Sequence, residues 1–209
     1  MRLTARILLL SLLGGLLTGC SSGGGGDIFV DSRNNLVIRE GSESLKFSLG
    51  DSVKGAAEIF VNGSDIFIVS MANSIVKFSR ESKALVWEKA IASVPLGNLA
   101  FDDSRRKIYF TTLDNRFYIL DYDSGKIEFI YSNLEERTVT YRLKPLVYRK
   151  RNLLVVTFNG GEVIVFDGNK KNILKVISPG PLRDISVTLE GSLLEVSGET
   201  VDLDKIKIQ

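Results

Sequence analysis

Short apolar runs separated by polar turns recur along most of the chain. The clearest runs, rich in Ile, Val, Phe and Tyr, occupy residues 66–70, 108–112 and 154–158, so that they begin 42 and then 46 residues apart. Each is followed by a turn of small or polar residues and then by a second run of the same kind, at 75–78, 117–120 and 163–166. Runs of this length and composition, bounded by Gly, Asn, Asp or Ser, predict β-strands.

Each repeat has room for four such strands. One more apolar run precedes each pair, at 59–61, 99–101 and 146–148, and a further turn and strand follow, most clearly at 121–130. Four strands per unit at this spacing are typical of a propeller blade, which buries its faces only by stacking on neighbouring blades. Beyond the first 20 residues no segment keeps an apolar period of 3.6, so we expect almost no helix. The pattern predicts an all-β fold, a small β-propeller of four-stranded antiparallel blades.

The two ends of the repeat region are less regular. Residues 185–188, 193–196, 200–203 and 205–208 predict the strands of a shorter fourth blade. Residues 28–49 predict about three more strands, which form a fifth blade or close the ring by pairing with the C-terminal blade. Four to five blades are therefore expected. Either the ring closes within one chain, or two chains pair their exposed strand edges.

The first 20 residues follow a different pattern. Two arginines precede an apolar run at 7–16, and Leu17-Thr18-Gly19 leads directly to Cys20, the only cysteine. This is the three-part pattern of a secretory signal, and its apolar run is shorter than the roughly 20 residues that cross a bilayer. Residues 17–20 resemble a bacterial lipobox, which implies that Cys20 is acylated and anchors the protein in a membrane. An ordinary secreted protein with an accidental cysteine is the alternative.

The lipobox resemblance also implies a location and a domain organisation. Ser21 stands where an Asp would retain a lipoprotein in the inner membrane, so the implied location is the periplasmic face of the outer membrane. We expect a lipoprotein signal peptide at 1–19, an acylated cysteine with a Gly/Ser tether at 20–27, N-terminal strands of a partial blade at 28–56, and propeller blades at 57–209.

Composition removes several classes of function. Without Arg2 and Arg6 of the signal, 25 basic residues balance 25 acidic ones, and nothing indicates nucleic-acid binding. The chain has no histidine, the commonest general base and metal ligand, and no thiol other than Cys20. We therefore predict no catalytic site, no metal site and no cofactor.

The turn at 121–126, Asp-Tyr-Asp-Ser-Gly-Lys between two strands, resembles the turn of the PQQ-like repeat. Trp87 falls where that repeat places its characteristic tryptophan, with Phe129 at the matching position of the next blade. The resemblance covers about residues 57–178. Short PQQ-like repeats in an outer-membrane lipoprotein resemble the BamB family, although this chain has about half of that family's blades. The resemblance implies a non-catalytic scaffold that binds a protein partner, with the β-barrel assembly machinery as the specific candidate.

PQQ-like repeats also build quinoprotein dehydrogenases, which hold a quinone against a tryptophan floor beside a calcium ion. This chain has one tryptophan, in a position where blades pack. Asp121, Asp123 and Asp167 lie in predicted turns, where an Asp side chain caps its own backbone. A degenerate quinoprotein, and a lipoprotein that binds an unknown small ligand in the central channel, are the alternatives to the scaffold.

Cations concentrate in the first and third turns of each blade, which a propeller places on one face. They are Arg80, Lys83, Arg105, Arg106, Lys107, Arg149, Lys150, Arg151, Lys170 and Lys171, against seven acids in the same region: Asp65, Glu81, Asp102, Asp103, Asp121, Asp123 and Asp167. We predict that Arg149, Lys150 and Arg151, with Arg105 and Arg106, bind a partner, either an acidic protein surface or an anionic membrane. Solvated turns that keep the blade edges soluble are the alternative.

The opposite face carries fewer charges. It is predicted to expose Met71, Leu113 and Phe158, together with the long connection 131–140. Apolar side chains in loops on a rigid scaffold are a common place for partner contacts.

Overall fold

The computed structural model describes residues 27–53, 57–133, 141–179 and 185–208. The signal, the lipobox with Cys20 and the connection at 134–140 lie outside these residues. Within the described ranges, the chain forms 18 strands in five separate antiparallel sheets, and its helical content is three short 3₁₀ turns. None of the helices in this part of the chain is long and apolar enough to cross a membrane. The all-β prediction is confirmed, and the five sheets are the blades of a small β-propeller.

Each sheet is built from strands that are consecutive in the chain. Blade 1 contains β1 (Ile28–Val30), β2 (Asn35–Glu40) and β3 (Glu43–Ser48). Blade 2 contains β4 (Ala57–Asn62), β5 (Asp65–Ser70), β6 (Ser74–Ser79) and β7 (Ala84–Ala90). Blade 3 contains β8 (Ala100–Asp102), β9 (Lys107–Thr111), β10 (Arg116–Asp121) and β11 (Ile127–Ser132). Blade 4 contains β12 (Leu146–Tyr148), β13 (Leu153–Thr157), β14 (Val163–Asp167) and β15 (Ile173–Ile177). Blade 5 contains β16 (Val187–Glu190), β17 (Leu193–Val196) and β18 (Glu199–Asp202), and the 3₁₀ turns are Gly50–Ser52, Arg149–Arg151 and Leu203–Lys205.

The three four-stranded blades repeat one turn geometry. In each, the pairing of the third strand with the fourth contains a β-bulge at the same place, between Lys77 and Phe78, Ile119 and Leu120, and Val165 and Phe166. The turn between these two strands then holds one residue in the left-handed region: Lys83, Gly125 or Lys171. A bulge followed by a left-handed residue is a standard way to close a longer hairpin, so the repeat in sequence is a repeat in backbone geometry.

Buried apolar side chains fill the spaces between consecutive blades. Four clusters do this: Leu36 packs in one with Ile66, Phe67 in the next with Tyr118, Phe117 with Phe166, and Val155 with Leu194. Burying one such side chain contributes about 1.5–3 kcal/mol, so blade stacking stabilises a chain that has no second cysteine. Among the described residues, no buried cluster joins blade 1 to blade 5.

The first and last sheets show how residues 28–49 pair and how the fourth predicted strand after residue 185 is replaced. The strands predicted at 28–49 form a sheet of their own and do not pair with the C-terminal sheet. At the other end, the fourth strand predicted at 205–208 is wrong: the chain leaves β18 in the 3₁₀ turn Leu203–Lys205. The side of blade 5 that points away from blade 4 carries exposed Thr188, Glu195 and Thr200, directly opposite one another across the sheet. It is a largely polar, solvated side.

Candidate interaction face

The first and third turns of the full blades meet at one end of the strands, as predicted. A backbone hydrogen bond joins them in each blade: Arg80 donates to Ser64 (2.9 Å), Tyr122 to Arg106 (2.9 Å) and Gly168 to Asn152 (2.8 Å). The predicted cations therefore share one surface, which we call the basic face. Arg105 also reaches blade 4, where its guanidinium donates to the carbonyl of Arg149 at 3.4 Å.

The basic run at 149–151 has a structural role that its sequence did not indicate. The guanidinium of Arg151 donates to three main-chain carbonyls, those of Leu203 (2.5 Å), Asp204 (2.8 Å) and Ile206 (2.7 Å). Lys150 pairs with the carboxylate of Asp204 at 2.6 Å. Two of the three cations therefore hold the segment that follows blade 5, and in the described ranges only the Arg149 side chain of this run lacks an ion pair or hydrogen bond.

Tyr148 completes this contact. Its hydroxyl donates to the second oxygen of Asp204 at 2.8 Å. The hydrogen bonds from Lys150 and Tyr148 lower the pKa of Asp204, and the hydrogen bond that Lys150 donates to Asp204 raises the pKa of Lys150. The contacts of Tyr148, Lys150 and Arg151, and not a strand at 205–208, hold residues 203–206 in place.

Arg105 and Arg106 lie in one turn but do different things. Arg105 pairs with the fully buried carboxylate of Asp102 at 3.0 Å. Burial by itself raises the pKa of Asp102, but hydrogen bonds from Ser104 and Arg105 outweigh it and leave that pKa below its usual value. Arg106 stacks over the ring of Tyr122, 3.9 Å from its centre, and pairs with Asp123. The structure thus brings Arg105 close to Arg149 and places Arg106 between blades 2 and 3.

Two acids of the turns, Asp121 and Asp167, cap their own backbone. The Asp121 carboxylate accepts hydrogen bonds from the backbone N–H (2.9 Å) and hydroxyl (2.7 Å) of Ser124, and these bonds, with Lys107, lower its pKa to about 2. Asp167 caps its turn in the same way, accepting from the N–H of Asn169 at 2.8 Å. Both are turn caps, as predicted, whereas Asp123 pairs with Arg106. In the described ranges no group of three or more His, Cys, Asp or Glu side chains is placed to hold a metal ion.

Tyr122 is the residue that sequence reasoning missed on this face. Its ring fills the groove between blades 2 and 3, where its hydroxyl donates to Asp65 at 2.9 Å. The buried ammonium of Lys77 lies 4.2 Å from the ring centre and pairs with Asp65 at 3.0 Å. Burial, together with the bond to Asp65, raises the pKa of Tyr122 to about 12, so the phenol stays neutral. Two cations, Lys77 and Arg106, thus lie against this ring, a favourable cation–π arrangement.

The next groove along the face, between blades 3 and 4, contains an open cavity of about 410 Å³. Its charged lining residues are Arg105, Lys107, Glu128 and Lys171, and its floor includes the buried side chains of Tyr109 and Ile119. Lys107 pairs with Glu128 at 2.6 Å, and Lys171 lies 3.9 Å from the same carboxylate. The cavity thus has three cations and one acid around it.

The opposite face agrees with the prediction only in part. Met71 and Leu113 are exposed, by 56% and 52%, at the second turns of blades 2 and 3. Phe158 was expected to join them but is fully buried, because its ring packs edge-on against Tyr131 in the space between blades 3 and 4. Of the three apolar side chains that were predicted to be exposed on this face, Met71 and Leu113 are exposed and Phe158 is buried.

No protein-family model and no curated protein sequence matches the chain. Its structure is similar to that of BamB from Moraxella catarrhalis, with a TM-score of 0.63 and 19% sequence identity over 90% of this chain. The fold is a β-propeller similar to that of BamB. The chain spans 58% of the length of the BamB chain that it matches. A europium-containing methanol dehydrogenase is more distant, with a TM-score of 0.48 and 21% identity, covering 59% of this chain and 25% of that one.

Proposed function

We propose that the protein is a non-catalytic scaffold that binds a protein partner in the bacterial envelope, with outer-membrane β-barrel assembly as the specific process. Cys20 anchors it by its lipid in the outer membrane, on the periplasmic face. The observation that carries the proposal is the structural similarity to BamB, which covers 90% of this chain. The lipobox resemblance at residues 17–20 supports the location independently, since it concerns residues that precede the propeller.

The basic face is our candidate partner surface. Arg149, Lys150, Arg151, Arg105 and Arg106 are all present on it, but they differ in availability. Arg149 is exposed and its side chain has no partner among the described residues, so it offers its charge to an acidic surface without breaking a contact. Arg151 must keep its three carbonyl bonds. The exposed pair Met71 and Leu113 on the opposite face is the second candidate surface.

Crosslinking in intact cells, followed by purification through a tag at the C-terminus, tests the scaffold function. Recovery of the β-barrel assembly machinery is the expected result. Recovery of another partner, with the assembly machinery absent, contradicts the role in outer-membrane β-barrel assembly. Repeating the capture with Met71→Ser/Leu113→Ser and with Arg149→Ser shows which face binds, because each change leaves the other face intact.

A further inference from the structure

Three turn positions on the basic face are equivalent, and one of them has no side chain. Arg80, Tyr122 and Gly168 each donate the same backbone hydrogen bond to the preceding turn of their own blade. At the second position the ring of Tyr122 fills the groove between blades 2 and 3. At the third position Gly168 leaves the groove between blades 3 and 4 without a ring, and the cavity of about 410 Å³ lies there.

The strand register shows that the cavity is the vacated ring position. Tyr122 contacts Phe67 and Lys77, which lie opposite each other on β5 and β6. The matching pair one blade later is Tyr109 and Ile119 on β9 and β10, and both line the cavity. The two grooves therefore have the same walls, one closed by a tyrosine of the chain itself and one open.

The charged residue at the end of the groove is an acid between blades 2 and 3 and a base between blades 3 and 4. In the filled groove the Tyr122 hydroxyl meets the carboxylate of Asp65. The residue at the matching start of β9 is Lys107, whose ammonium lines the cavity. Asn152 adds a second polar feature: it is 95% buried at the cavity, and its Oδ1 has no hydrogen-bond partner in the described part of the chain. A group that enters here meets donors at Lys107 and one unused acceptor.

The mouth of the cavity can rearrange. Lys107, Glu128 and Lys171 are each exposed by between about a fifth and a third of their side-chain surface, and ion pairs with that much exposure are weak. An incoming carboxylate competes with Glu128 for the two ammonium groups, and with Asp121 for that of Lys107. It also meets Arg105 at the rim of the cavity.

We propose that this cavity binds an aromatic side chain, flanked by carboxylates, from a peptide segment of a protein partner. The ring takes the place that Tyr122 fills one blade earlier, its polar edge accepts from Lys107, and the flanking acids pair with Arg105 and Lys171. This rests on the proposed scaffold function, of which it names the recognised chemistry.

NMR titration of the ¹⁵N-labelled protein with the peptide acetyl-Asp-Tyr-Asp-amide tests the pocket directly. We expect saturable shifts of the backbone amides of Asn152, Gly168 and Lys171. The matched peptide acetyl-Asp-Ala-Asp-amide should bind at least about tenfold more weakly, since the ring provides most of the buried area. Equal affinity for the two peptides, or no saturable shift with the tyrosine peptide, overturns the proposal.

A filled groove provides the matched variant. A Cβ at position 168 would lie 2.7 Å from the Asn152 Oδ1, and the backbone there is not left-handed, so Asn152→Gly/Gly168→Tyr places a ring in the cavity with room for it. Asn152→Gly alone is the control, because Asn152 itself is left-handed at φ 52°. The double variant should lose at least about tenfold in affinity relative to this control. Unchanged affinity overturns the pocket.

Lys171→Asn keeps the left-handed turn and removes one cation, so it decides the matter if the double variant does not fold. It should weaken binding of the tyrosine peptide by about threefold or more at low salt, and unchanged binding contradicts the proposal. The cellular capture separates the two levels. If the double variant still captures the partner as the control does, the scaffold stands and the pocket as its contact is overturned.

Discussion

The indole ring of Trp87 in blade 2 lies directly against Gly125 in the third turn of blade 3. A Cβ atom on Gly125 would come within 2.7 Å of a ring carbon, and the glycine has φ +67°. The indole N–H also donates to the carbonyl of Tyr122 at 3.1 Å. Trp87 is therefore a blade-packing residue, as its place in the repeat predicts, and glycine is required at 125 for two separate reasons.

Gly125→Ala should destabilise the protein by about 1–3 kcal/mol more than a glycine replacement that meets only the backbone cost. Gly63→Ala is the control, because Gly63 has φ +60° and nothing within 4 Å of an added Cβ. Chemical denaturation of both variants measures the difference. Equal losses would show that the indole moves aside freely.

Arg151→Ala should release the segment after blade 5, because one guanidinium holds three carbonyls there. We expect a loss of about 1–3 kcal/mol in the free energy of unfolding and faster amide hydrogen exchange at residues 203–206. Arg149→Ala, two residues away with an exposed side chain, is the control and should change neither measurement. Protection that is identical in the two variants contradicts the assigned role of Arg151.

Because Lys150 and Arg151 hold the residues after blade 5, a test of partner binding by the basic run must leave these two residues in place. Changing Arg149, Lys150 and Arg151 together would remove charge and also the hold on the chain end, so a loss of binding could not be assigned. Arg149→Ser alone should weaken partner or membrane association by about two- to tenfold at low salt, with an unchanged midpoint of unfolding. Arg33→Ser, which removes an exposed cation from blade 1, should bind normally. If Arg149→Ser also binds normally, the contact lies on the opposite face.

The strands were predictable because each is a short apolar run between turn residues, and the positive φ angles of Asn73, Asn115 and Gly125 show why those residues stand in the turns. The role of Arg151 was not, because its carbonyl partners lie more than 50 residues away in a segment whose alternation is that of a strand. Phe158 lies between the end of a strand and a turn, and at such a position the sequence does not show whether the side chain is buried or exposed. The cavity lies where Gly168 has no side chain. It could not be predicted from the sequence, because it is recognised only when the strand register aligns Gly168 with Tyr122 of the preceding blade.

Asp121 gives the fold a measurable acid dependence. Its pKa of about 2 in the folded protein is below the unfolded value of 3.8, so its contribution is complete above about pH 4 and is lost as the pH falls toward 2. Because a quarter of its side chain is exposed, we expect about 1–2 kcal/mol. Asp121→Asn should therefore show a smaller fall in unfolding free energy between pH 5 and pH 2 than the parent protein. Parallel pH profiles would remove Asp121 from the acid dependence.

Cys20→Ala tests the anchor, which lies outside the described residues and depends on the lipobox resemblance alone. Acylation requires the thiol, so the variant should carry no fatty acid and should keep its signal, which raises its mass relative to the processed protein. Metabolic labelling with a radioactive fatty acid, followed by purification, reads out the first expectation, and mass spectrometry reads out the second. Cys20→Ser is the matched control: it keeps a small polar residue at the cleavage site and should also remain unlabelled. Label that persists on the alanine variant would rule out Cys20 as the lipidated residue, and with it the membrane location proposed for the propeller.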